Sequence, residues 1–73
     1  MAKCSINKED FLFDLEKGLE YEQRALEACQ EIIPFLDDPK EKAVIERIAE
    51  DEERHIKIVE FLIDITKKYF INQ

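Results

Sequence analysis

The chain has 73 residues, 45% hydrophobic and 40% charged, with one Gly, two Pro and a formal net charge of −7. That length excludes a second domain and leaves a core so thin that it calls for a staple, a metal or a partner chain. The acidic balance excludes nucleic acid and an anionic membrane surface as partners and favours cations. No run approaches the roughly 18 uncharged apolar residues of a membrane span. The opening residues, Met1 to Asp10, lack the apolar core of a signal peptide, so a cytoplasmic protein is expected.

High charge with few breakers suits long amphipathic helices, each with a narrow apolar stripe and a solvated back. Asn7 is a cap for the first, followed by acidic Glu9 and Asp10 in its opening turn. Leu12, Leu15, Leu19, Glu22, Leu26, Cys29 and Ile33 then step by three and four, which predicts one helix over about 8–33 with these positions on one face. Gly18 stands inside that helix with no other breaker nearby and reads as a point of close packing. Pro34 disfavours helical conformation at the residue before it, and the stretch 34–39 is the turn. Asp38 followed by Pro39 reads as an N-cap with proline at the first helical position. A second helix is expected over about 39–70, with Lys67 and Lys68 near its C-terminal end. Its stripe reads Ile45, Ile48, Glu52, His55, Val59, Leu62, Thr66 and Tyr69. Cys4 and Cys29 form no Cys-x-x-Cys pair; Cys29 reads as a small core residue and Cys4 as a free thiol.

Two helices joined by so short a turn fold back as an antiparallel hairpin. Residues at equal height are then numbered symmetrically about the turn. Glu22 pairs in this way with both Glu52 and His55, because the midpoints fall within 34–39. Glu20, by contrast, points about 200° away around the helix. Three ionisable side chains therefore share one level of an otherwise apolar seam, where an unpaired carboxylate is costly.

Glu52 and His55 are one helical turn apart, and both are good ligands for divalent iron, manganese or zinc. A hairpin cannot enclose its own seam. Two copies would form a four-helix bundle and bring two Glu22, Glu52 and His55 sets together across a two-fold axis. That gives the di-iron carboxylate pattern of one Glu from each of two helices and Glu-x-x-His from each of the others.

A competing reading makes the three residues polar register pins in a coiled-coil seam. Glu16, Glu20, Glu27 and Glu31 form an acidic ridge away from the seam and read as a solvated face. Tyr21 and Tyr69 read as packing residues.

The segment Ala49-Glu50-Asp51-Glu52-Glu53-Arg54-His55 resembles the Glu-x-x-His segment of rubrerythrins in the ferritin-like superfamily. The spacing from Glu22 to that segment is most similar to the half-length encapsulated ferritins. The resemblance covers about residues 10–65. It implies an all-α, ferritin-like four-helix bundle built from two chains. It also implies a ferroxidase centre with two irons per dimer, oxidising Fe(II) to Fe(III) for storage or detoxification. Glu22, Glu52 and His55 would be both the catalytic residues and the metal ligands, with Glu52 the bridging carboxylate. A homodimer or larger oligomer is implied, with an encapsulin shell as its container. A rubrerythrin-like oxidase or peroxide scavenger on the same scaffold is the alternative activity.

Overall fold

Asn7 opens the first helix, α1 (Lys8–Ile32). Its backbone is extended (φ −88°, ψ 174°) and its side-chain oxygen accepts a hydrogen bond from the Asp10 N–H at 2.9 Å. This satisfies one of the amide groups that a helix start leaves without a partner. The computed structural model describes residues 7–70, so the reading of Cys4 as a free thiol lies outside the described residues.

At the far end of α1 the Ile33 N–H still reaches Cys29 O, and the chain then tightens into a 3-10 turn over Ile33–Phe35. The Leu36 N–H closes it on Ile33 O at 3.1 Å. Pro34 has no N–H to continue the helical ladder, which is the physical reason α1 stops here. Asp38 caps the second helix, α2 (Pro39–Phe70), accepting from the Lys40 N–H at 2.8 Å with its side chain. Its backbone oxygen accepts from Lys42 at 2.9 Å. The first helix, expected over about 8–33, ends at Ile32, and Ile33 opens the 3-10 turn. Replacing Asn7 by Ala is expected to cost about 1 kcal/mol, read as a lower midpoint in urea with an unchanged slope.

The result is an all-helical hairpin, with no strand among the described residues. Its principal extents are 53 × 28 × 14 Å, so it is one helix thick. Such a slab has almost no interior. Cys29, Ala49, Ile63 and Thr66 are buried, and no described side chain is fully enclosed. Thr66 meets its own need by donating from Oγ1 to Leu62 O at 2.7 Å. No described helix is long and apolar enough to cross a membrane.

The seam on α1 is the expected one: Leu12, Leu15, Leu19, Glu22, Leu26, Cys29 and Ile33 are all at least half-buried. The seam on α2 is rotated by one position. Ala49, Ile56 and Ile63 face α1, while Ile48, His55, Leu62 and Tyr69 lie exposed at its edge. Either row continues the stripe through Ile45, Glu52, Val59 and Thr66. The inner row is purely apolar, whereas the outer carries an imidazole and a phenol, polar groups that lose hydration on burial.

Three sequence readings are corrected accordingly. Tyr69 and Tyr21 are 63% and 67% exposed and do not pack in the hairpin. Gly18 is not held by close packing within the chain, since a Cβ placed there would meet no atom within 4 Å.

The two sides of the slab differ. Phe11, Gly18, Ala25 and Ile32 recur every seven residues along one flank of the α1 seam, as Ile48, His55, Leu62 and Tyr69 do along α2. Because the helices run antiparallel, both rows open on the same side. The opposite side carries Glu16, Gln23 and Gln30 from α1 and Glu46, Glu53, Glu60 and Lys67 from α2, all exposed. One face is apolar and the other is charged.

Candidate metal centre

Glu22 lies in the middle of α1, between Leu19 and Leu26 on the seam. Helical spacing that buries those leucines also turns the Glu22 carboxylate toward α2. Across from it, Glu52 sits on the seam itself and His55 stands one turn further along on the apolar edge. The fold thus brings together all three residues singled out by sequence: one donor atom from each lies within 4.8 Å of the others. His55 Nδ1 is 3.6 Å from Glu22 Oε2, and the two side chains are 51% and 30% exposed.

Two features set this cluster apart from an ordinary surface ion pair. Glu22 Oε2 is shielded from solvent and has no hydrogen-bond partner. His55 Nδ1 is its nearest positive partner but stands beyond hydrogen-bond range, and a shielded carboxylate oxygen without a hydrogen bond is costly. The Glu52 carboxyl, in turn, has its pKa raised from the ordinary value. The first cause is a hydrogen bond shared with the Glu22 side chain, followed by desolvation and the like charge of Glu22. His55 opposes the shift, and Asp51 adds to it.

A raised acid pKa has a definite consequence for stability. The folded hairpin binds the Glu52 proton more tightly than the unfolded chain does. Glu52's contribution is therefore fully present below its unfolded pKa and is lost as pH rises through the folded value. The metal-free chain is expected to lose that contribution as pH rises above the ordinary Glu range, about 4, whereas Glu52→Gln should not. Melting curves of both proteins over that rise check it, and parallel profiles would contradict it.

A cation resolves the conflict that a proton resolves at low pH. Two carboxylates and an imidazole suit iron, manganese and zinc alike. Donors bound to one ion at about 2.0–2.2 Å lie at most about 4.4 Å apart, so atoms within 4.8 Å of one another need only a small side-chain closure. Three protein donors leave positions open for water or a further ligand. The donor set and the shielded Glu22 oxygen that makes no hydrogen bond thus fit a divalent ion.

The neighbouring acids do not join. Glu20 is exposed and pairs with Lys17 at 3.4 Å, and Asp51 is engaged by Arg54. Glu16, Glu27 and Glu31 are likewise exposed, as expected of a solvated ridge. Sequence reasoning missed Asp51, whose charge acts on Glu52; its place immediately before Glu52 was the available signal.

No protein-family model, curated protein or solved structure matches the chain. The functional reading therefore rests on the chain's own geometry.

Proposed function

We propose that this chain is a ferritin-like iron-binding protein that works as a pair of hairpins closed into a four-helix bundle. Glu22, Glu52 and His55 of each copy hold two ferrous ions at the shared centre, and dioxygen oxidises them to Fe(III). Two ferrous ions supply two electrons, and dioxygen with two protons leaves as hydrogen peroxide. Glu22 and Glu52 supply anionic oxygen that favours the higher charge of the product, and His55 fixes orientation. The observation that carries the reading is a three-donor cluster held within 4.8 Å around a shielded Glu22 oxygen that makes no hydrogen bond.

The asymmetry of the slab supports a second copy. One apolar face needs cover and one charged face does not, so pairing by a two-fold axis closes the structure without leaving another sticky surface. The open face is also the one on which His55 stands.

A non-catalytic helical interaction module is the competing reading, favoured by the same exposed apolar rows. Glu22→Leu separates the two. In an interaction module it removes a buried charge and keeps or raises stability with no loss of function. In a metal centre the stability gain comes with loss of iron binding and of ferrous oxidation. Stability and iron uptake measured on the same sample decide between them.

A further inference from the structure

We infer that Gly18 keeps open an apolar recess beside His55, through which dioxygen reaches the iron. The inference rests on the metal centre and the pairing proposed above, and adds the residue that admits the oxidant.

Gly18 is the chain's only glycine and stands in the interior of α1. Glycine weakens a helix interior relative to alanine, so such a position needs a reason. Backbone conformation gives none, because Gly18 has no positive φ. Packing within the hairpin gives none either, because a Cβ at Gly18 would meet no atom within 4 Å. Whatever needs the missing side chain lies outside the single hairpin.

Gly18 belongs to the row of α1 that borders the open face, one turn from Glu22. Its number and that of His55 are symmetric about the turn, so the two stand at one level on the same side of the slab. The His55 side chain is 51% exposed there, with Nδ1 3.6 Å from Glu22 Oε2. One turn farther from the turn, the seam carries Leu15 and Val59, both half-buried. The absent side chain thus leaves room between the three donors on one side and apolar carbon on the other.

A second hairpin closing over the open face turns this room into an enclosed recess. An apolar recess stays dry and takes up small apolar guests. Dioxygen is such a guest. Hydrated ions and hydrogen peroxide need hydrogen-bond partners and are disfavoured there. Position 18 is therefore the point at which side-chain size sets access to the iron.

The test uses the full chain loaded anaerobically with Fe(II). Nitric oxide serves as the probe, a diatomic of similar size that binds ferrous iron without turnover. Gly18→Ala and Gly18→Leu are expected to bind Fe(II) and to pair as wild type does, read by titration and sedimentation velocity. Their metal-free melting midpoints should equal or exceed that of wild type. Nitric oxide affinity is expected to fall on the order of 10-fold in Gly18→Ala and further in Gly18→Leu. The rate of ferrous oxidation at limiting dioxygen should fall in step. Variants that load Fe(II), yet bind nitric oxide and oxidise iron as wild type does, would overturn the recess. So would loss of pairing in Gly18→Ala, which would make Gly18 a contact between copies. Where only Gly18→Leu fails to pair, Gly18→Ala decides. Wild type that binds no Fe(II) would instead remove the metal centre itself, and the recess with it.

Discussion

Replacing Glu52 with Ala is expected to weaken iron binding by at least about 100-fold and to abolish accelerated ferrous oxidation. Loss of an outer-shell partner alone costs a metal site about 10–100-fold, and Glu52 is proposed as a direct ligand on the seam. The substitution should do this without unfolding the hairpin. Glu52 is the group whose protonation is displaced by Glu22, so removing it relieves a like-charge contact in the metal-free state. Circular dichroism should show unchanged helix content while calorimetric titration shows the lost affinity. A variant that loses both helix and iron together would mean that Glu52 acts through the fold.

The second large effect is expected at Ile63, which is 7% exposed and one of the few buried apolar residues. Truncating a buried Ile to Ala costs about 2–5 kcal/mol, and a chain this small has only a few kcal/mol to lose. Ile63→Ala is therefore expected to leave the metal-free hairpin largely unfolded at 25 °C. Its neighbour Leu62 gives the contrast. At 39% exposed on the open face, Leu62→Ala should scarcely change the metal-free hairpin and should weaken pairing instead. Thermal melts of the two variants test which row of α2 faces α1. Equal losses would contradict the rotated seam.

Much of this architecture is legible from sequence because a few residues have strong local effects. Asn7 and Asp38 each accept a hydrogen bond from a helix start, and Pro34 removes a donor at the helix end. Those three residues set the helix limits and the turn. The turn then sets the height at which Glu22 meets Glu52 and His55, so the candidate site follows from residue numbers alone.

The rotation of α2 was not legible. Two apolar rows, Ile48–Leu62–Tyr69 and Ala49–Ile56–Ile63, both share helical spacing with Ile45 and Thr66, and periodicity cannot rank them. The choice depends on what happens to the His55 imidazole and the Tyr69 phenol on burial, which is a property of the packed pair. Gly18 was misread for a related reason. Its missing side chain leaves space on a face that the hairpin itself does not fill.

The proposed pairing and chemistry meet in the stoichiometry of iron binding. Metal-free protein is titrated with Fe(II) under anaerobic conditions and then exposed to air while ferric absorbance is followed. The proposal requires a break near one iron per chain and oxidation faster than in buffer or in Glu52→Ala. Binding no tighter than that variant, with no accelerated oxidation, would contradict the metal centre and leave a helical interaction module as the account of the open face.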